Sequence, residues 1–568
     1  MTTQTKTQAN ISQPVHDERY SKPLAARLAL AWSYVAQLGP AGRGLLMLAV
    51  LLLLAVPSIA MLFPSKVTPA SAVPEVFSAE RAMVHLPIIA SEPHPQSSPA
   101  QRRVRDYLVQ ELTASGLEVE VQRTSGLENV VARLHGSDPS GAIVILAHSD
   151  TVSYSPGAGD NSSAVSALVE IMRALAAGPT PRNDVIALFD DGEEEPDIFA
   201  GTYAFVRKHP WMNDVRVAIS IDTAVAGPIS TNEAGPNNGW LVRAMARAYT
   251  GGIWTSFSGG GQYNSTPFRE AGVLVLALED NYPFKEKHTA EDLPGIVRPA
   301  SVQQMGEQTL ALARELGSLD LVNPWGKQET FFPLPYRVFV HYPEAWSLLL
   351  VMAGVILLVI AIGLALRRNL ATWRGLLAAF GAILATVALS AALVSVAWEK
   401  VPGLMGWKTT LWPDWPEVIP PNGWLVVITF ELLVLGLCTG VYLLVRRWSA
   451  RANFSLAGLV PFAIPAVALA ILQPRTAYAF IWPVLIGGLS WIAAAVVRRG
   501  KSKWAQDLAA LLAAAPLVVL LLPFVPGVVM ADGMKSLAIE AGIEALVLGV
   551  TLPAVDGLLV RRLPQDNR

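Results

Sequence analysis

Five short segments of this 568-residue chain carry residue types that bind divalent metal ions. His148-Ser149-Asp150 follows the apolar run 142–147, and Gly159-Asp160-Asn161 comes about ten residues later. Asp190, Asp191, Glu193 and Glu194 come next, then Asp222, then His288 within Lys287-His288-Thr289-Ala290-Glu291-Asp292. Two histidines with several carboxylates and no thiolate make a donor set suited to zinc or a similar divalent ion. Any one of these residues alone reads more simply as a solvated surface group. As a set they share a context, because nearly every cluster follows a stretch that reads as a strand. Ligands of open α/β sheets bind beyond the carboxyl ends of strands. Charge gathered there is costly unless it is paired or metal-bound.

The elements that must position these groups alternate in type. Strands are expected at 117–122, 129–134, 142–147, 184–189, 215–221 and 273–278, and helices at 98–112, 163–175, 201–208 and 299–316. This pattern predicts an α/β domain over residues 75–325, with a mostly parallel central sheet flanked by helices.

The rest of the chain has a different composition. Hydrophobic residues make up 52% of the whole and charged residues only 15%, which indicates a polytopic membrane protein. Eight apolar runs, at 45–63, 345–366, 376–398, 424–445, 456–472, 477–497, 508–530 and 537–560, are long enough to span a bilayer. The first reads as an uncleaved anchor, since it lies far from the start of a basic, polar tail. Arg367-Arg368, Arg446-Arg447, Arg498-Arg499 with Lys501 and Lys503, and Arg561-Arg562 each follow an alternate run. Basic loops mark the cytoplasmic side, together with the tail bearing Arg27 and Arg43. The expected order is therefore a cytoplasmic tail (1–43), an anchor (44–63), a non-cytoplasmic domain (75–325), an all-α multi-span domain (345–560) and a cytoplasmic tail (561–568). The Trp- and Pro-rich loop 399–422 falls on the same face as the α/β domain.

A net charge of −2 gives no reason to expect nucleic acid as a partner. The single cysteine, Cys438, excludes an intramolecular disulfide. Glu431 sits inside an apolar run, and Glu540 and Glu544 share a helix face at i,i+4 spacing. Acids at membrane depth are costly and often functional. A neutral side chain or a position nearer the interface is the plainer account, and no role is assigned to them at this point.

The metal-binding segments, His148-Ser149-Asp150, Gly159-Asp160-Asn161, Asp191-Gly192-Glu193-Glu194, Ile221-Asp222 and His288-Thr289-Ala290-Glu291-Asp292, resemble in order those of the co-catalytic di-zinc aminopeptidase family. Its membrane-embedded branch includes the endoplasmic-reticulum metallopeptidases and vacuolar membrane proteases. The resemblance covers roughly residues 80–320. It implies two Zn2+ ions bridged by Asp160, one completed by His148 and Asp222 and the other by Glu194 and His288. It also implies that Asp150 orients the His148 ring. Glu193 would be the general base toward a metal-bridging water.

The activity so implied is peptide-bond hydrolysis at the N-termini of peptides or proteins, with Asp191 and Glu195 as candidate partners of the α-amine. The triplet Glu193-Glu194-Glu195 leaves the register of base and ligand open by one residue. Lys287 stands where the family often has tyrosine, and Asn264 where it often has aspartate. The alternatives are a glutaminyl-cyclase-like zinc transferase, which normally keeps one zinc, and a transporter or scaffold with a vestigial peptidase domain. The complete ligand set argues against both. Ala- and Leu-rich spans with short loops suggest a bacterial inner membrane with the peptidase domain in the periplasm; an endoplasmic-reticulum or vacuolar lumen is topologically equivalent.

Overall fold

The computed structural model describes residues 37–63, 66–194, 198–256, 261–280, 284, 286–405, 423–497, 502–523 and 536–560. Arg27, Glu195, residues 406–422, Arg498, Arg499, Lys501, Arg561 and Arg562 lie outside the described residues.

Seven strands form the central sheet: β1 (Glu118–Thr124), β2 (Leu127–Leu134), β3 (Ala142–His148), β4 (Asp184–Asp190), β5 (Val215–Asp222), β6 (Ile229–Ala234) and β7 (Leu274–Asp280). Their order is β1-β2-β4-β3-β5-β7-β6. The parallel run expected from the strand–helix alternation is the central set β4-β3-β5-β7. The pairings β1–β2, β2–β4 and β6–β7 are antiparallel, so the sheet as a whole is mixed. At the first edge the reason is local. Ser125 and Gly126, with φ of 52° and 90°, form a two-residue turn that folds β1 back on β2.

Strand β3 is buried along its whole length, as its unbroken apolar sequence requires. Its period of two divides the core. Ile143, Ile145 and Ala147 face one hydrophobic cluster, and Ala142, Val144 and Leu146 face the other. Helices α1 (Pro40–Ala60), α2 (Ala79–Ile89), α3 (Pro99–Ala114), α4 (Ser163–Ala176), α5 (Ala200–Lys208), α6 (Gly239–Ala248) and α7 (Pro299–Ser318) precede the C-terminal apolar region. Of these, α2, α4 and α7 pack on one another over the first cluster, while Phe205 of α5 belongs to the second. Helix α3 starts where Ser98 accepts the Gln101 amide at 2.9 Å, with Pro99 in the first turn.

Beyond the sheet lie α8 (Trp346–Arg367), α9 (Trp373–Trp398), α10 (Gly423–Arg446), α11 (Arg451–Leu472), α12 (Tyr478–Val496), α13 (Lys503–Leu520) and α14 (Leu537–Thr551). Together with α1, and with α14 continued to Leu559, the described residues hold eight helices long and apolar enough to cross a membrane. The run expected at 508–530 is helical earlier, from Lys503 to Leu520. The polar first turn is accommodated because Asp507 accepts from Arg43 at 2.6 Å and also pairs with Arg451.

A hairpin of β8 (Glu329–Leu334) and β9 (Val338–Pro343) joins the two parts. Phe332 stacks on Tyr478 of α12 with ring centroids 4.3 Å apart. The Tyr478 hydroxyl lies 2.6 Å from Thr255 Oγ1, and Ser256 Oγ donates to the Arg475 carbonyl at 2.7 Å. On the other side the Tyr336 hydroxyl donates to the Leu53 carbonyl of α1 at 3.2 Å.

Candidate metal centre

Strand β3 delivers the first ligand type at its carboxyl end. The Ser149 amide donates to the Asp190 carbonyl at 2.7 Å, which extends the β3–β4 pairing past His148. His148 Nε2 lies 3.2 Å from Asp160 Oδ1 and 3.8 Å from Asp222 Oδ1 at the end of β5. Its other nitrogen, Nδ1, is 3.2 Å from the Asp150 carbonyl oxygen and 3.7 Å from Asp150 Oδ1. The Asp150 carboxylate has further partners. It accepts the Glu193 amide at 3.1 Å and the Glu194 amide at 3.3 Å, so it orders the turn after β4 as well as the histidine.

Asp160 is held by backbone contacts rather than by a regular element. Asp292 Oδ1 accepts the Gly159 amide at 2.6 Å, Asp292 Oδ2 accepts the Asp160 amide at 3.3 Å, and the Asp292 carbonyl accepts from Ala158 at 3.1 Å. Gly159 must be glycine here, because a Cβ would stand 2.8 Å from both the Phe284 ring and Val225. The Asp160–Asn161 peptide is cis. Asn161 ties the same turn to β5, accepting the Thr223 amide at 3.0 Å and donating to the Ile221 carbonyl at 3.3 Å.

The second oxygen of Asp160 faces the other way. Oδ2 lies 3.1 Å from His288 Nε2, which is itself 3.0 Å from Glu194 Oε1. Asp160 therefore turns one carboxylate oxygen to each of two donor groups, His148–Asp160–Asp222 and Asp160–Glu194–His288. Donors about 2.0–2.1 Å from a tetrahedral ion stand roughly 3.3 Å from one another. The donor separations of 3.0–3.8 Å fit that spacing. Glu193 Oε2, at 3.9 Å from His148 Nε2, borders the first group. All the residues predicted to bind metal or act as base thus converge on one edge of the sheet.

The electrostatics are those of a site rich in anions. Burial, reinforced by Asp222 and Glu194 and opposed by His148, pushes the Glu193 carboxyl up to about 8. Burial likewise raises Glu279 to about 8, with Asp222 adding to it. Burial also works against ionisation of Asp160, but Lys287, His148 and His288 hold its carboxyl well below the ordinary range. Lys287 Nζ lies 2.9 Å from Asp160 Oδ2, the oxygen that His288 also approaches. A carboxylate cluster under this self-repulsion is stabilised by divalent cations.

One expectation needs correction and one falls outside view. Asp191 turns away from the centre; its carboxylate accepts the Glu128 amide at 2.9 Å and the Gln101 amide group at 3.4 Å, pinning β2 and α3. It is therefore engaged within the fold instead of presented to an α-amine. Glu195 lies outside the described residues. Asn264 is buried. The clamping roles of Asp292 and Asn161 were not anticipated, although both residues lie inside the quoted motifs. Asp280 was missed altogether. It accepts the amides of Val225, Ala226 and Gly227 at 2.8, 2.8 and 2.9 Å, fixing the loop after β5, and its only sequence signal is its place at a strand end.

Residues 129–313 match the family described as Peptidase family M28. Endoplasmic reticulum metallopeptidase 1 of Rattus norvegicus is 25% identical over 312 residues, covering 47% of this chain and 34% of the relative. The vacuolar membrane protease of Candida albicans is 27% identical over 281 residues, covering 46% of this chain and 32% of the relative. The match thus spans about a third of the length of these curated relatives. Among solved structures, a zinc aminopeptidase from Bacillus subtilis aligns with a TM-score of 0.38 and 14% identity, over 42% of this chain and 95% of that one. With its eight apolar helices the chain is a multi-pass membrane protein, and its residues 129–313 match Peptidase family M28.

Proposed function

We propose that this chain is a membrane-bound zinc aminopeptidase that holds two zinc ions. The observation that carries this reading is the position of Asp160, with one oxygen in each of two three-donor groups. In it, His148 and Asp222 complete one ion site, and Glu194 and His288 the other. Zinc at such a pair supplies Lewis acidity, polarising a carbonyl and acidifying water.

The chain's own residues do the rest. Glu193, whose backbone is fixed by Asp150, receives a proton from the attacking water and returns it to the departing amine. Its partly buried setting among carboxylates suits a group that must be ionised to accept a proton and protonated to give it back. His148 is kept in one orientation by the Asp150 carbonyl on Nδ1, leaving Nε2 for the ion. Substrates are the N-termini of peptides or proteins. The basic loops support a non-cytoplasmic face for the domain spanning 75–325, in a bacterial inner membrane or, equivalently, an endoplasmic-reticulum or vacuolar membrane.

One observation favours a second reading. Lys287 already occupies Asp160 Oδ2 at 2.9 Å, and an ammonium there competes with a cation at the His288 group. A one-ion site, as in a glutaminyl-cyclase-like transferase, follows if the lysine prevails. Metal analysis of the purified full-length chain, with peptide hydrolysis assayed alongside, separates the two. Two zinc ions per chain and release of N-terminal residues support the proposal. One ion, with cyclisation of N-terminal glutamine and no hydrolysis, overturns it. Glu193→Gln should keep its metal and lose hydrolysis by about two to four orders of magnitude; undiminished hydrolysis would remove Glu193 as the base.

A further inference from the structure

The acids of the membrane region occupy connected positions. Helices α9, α10 and α14 pack on one another, and Glu431 of α10 faces Glu544 of α14 within hydrogen-bonding range. Glu540 lies one turn nearer the start of α14 and is fully buried. Glu544 is also buried, and its Oε2 has no hydrogen-bond partner. Two carboxyls that close in a low-dielectric setting cannot both be ionised, and the arrangement is satisfied when they share a proton.

The polar positions continue along the same face of α10. Cys438 lies seven residues beyond Glu431, Tyr442 four further, and Arg446 four beyond that. Beside Cys438 stands Ser390 of α9, fully buried. A cavity lined by Thr386, Cys438, Tyr442 and apolar side chains of α9 and α14 separates this level from the next. On its far side the Tyr442 hydroxyl donates to Asp556 Oδ1 at 2.7 Å, and Arg446 Nε donates to the same oxygen at 2.7 Å. From Glu431 to Arg446 the helix rises about 22 Å, most of a hydrocarbon core of about 30 Å.

We infer that α9, α10 and α14 carry a proton relay across the membrane, running from Glu540 and the Glu431–Glu544 pair, past Ser390 and the Thr386 cavity, to Tyr442 and Asp556. Each member is a group that can accept and pass a proton. Among the described residues, the helices packed around it bring no further charged side chain to its middle: Arg374, Arg451, Lys503 and Asp507 all sit within the first five residues of their helices. Glu399 and Lys400 follow α9 beyond its last residue, Trp398. The relay is independent of the metal centre, so either reading can fail without the other.

The test uses the purified full-length chain in sealed phospholipid vesicles containing a pH-sensitive dye, with a potassium gradient and valinomycin to set the potential. Wild-type vesicles should change internal pH about tenfold faster than protein-free ones, with Glu544→Gln and Glu431→Gln returning the rate toward the protein-free value. Tyr442→Phe should do the same from the other end. An unchanged elution volume and melting temperature would show that these variants are folded. Wild-type flux equal to that of empty vesicles overturns the relay. So does full proton flux in both folded Glu→Gln variants, or sodium flux in its place.

Discussion

The carboxylate of Asp150 receives the backbone amide of Glu193, 43 residues further along the chain, at 3.1 Å. The contact couples the end of β3 to the turn after β4. It means that the proposed base is positioned through its main chain, leaving its side chain available to move a proton. Asp150→Asn keeps the size but loses the negative charge that two amides and the His148 edge share. We expect this variant to lose about 10- to 100-fold in hydrolysis or metal affinity. Side-by-side zinc titration and peptide kinetics measure it, and parity with wild type would reduce Asp150 to a packing role.

Asp160 and Asp222 should differ in what their loss does to metal content. Removing the shared ligand, as in Asp160→Ala, should empty both donor groups. Asp222→Ala should empty only the His148 group. Elemental analysis after dialysis reads the difference directly, and equal loss in the two variants would refute the sharing.

Gly159→Ala tests the packing beneath the site. The new methyl meets the Phe284 ring and Val225 at 2.8 Å. Overpacking of this kind costs about 1–3 kcal/mol, and the apparent melting temperature should fall accordingly. Zinc affinity should drop too, because the turn that carries Asp160 is what must shift.

His94 gives the domain an acid-sensitive point. It is buried, its ring bonded at 2.8 Å to the Glu92 carbonyl and its amide donating to Thr151 Oγ1 at 2.9 Å. Burial lowers its pKa, with the Glu92 carbonyl and Asp150 pulling the other way. The unfolded chain then binds more protons than the folded one below about pH 6.5, so stability is lost as pH falls through that value. Melting temperatures of His94→Gln measured across that range should show a shallower acid fall than wild type. An identical slope would assign the sensitivity elsewhere, for instance to His85 or His209, which burial also shifts downward.

Several ligand types were legible because they sit where an apolar strand stops, a change of pattern that needs no tertiary knowledge. His148, Asp222 and the turn bearing Glu193 and Glu194 are of this kind. The clamps were not legible. Asp292 reaches Gly159 across 133 residues, and nothing in its neighbourhood announces a pair of amides to be filled. Strand β6 was also hidden, since Ile229–Ala234 is mostly polar yet buried throughout. Its side chains are paid for by partners: Asn232 bonds Glu279, and Glu233 bonds Ser265 and Arg269. The β8–β9 hairpin escaped notice because its alternation serves a surface made by distant helices.

That hairpin changes what kind of object the α/β domain is. Phe332 on Tyr478, Ser256 on Arg475 and Tyr336 on Leu53 hold the domain at both flanks of the helical region. A domain seated in this way does not swing on a leash. On the proposed function, the metal centre then keeps a set place relative to the apolar helices, and the reach of a peptide N-terminus to it becomes a selection rule in its own right. Cutting the domain loose would discard the rule and bare the aromatic seat to water.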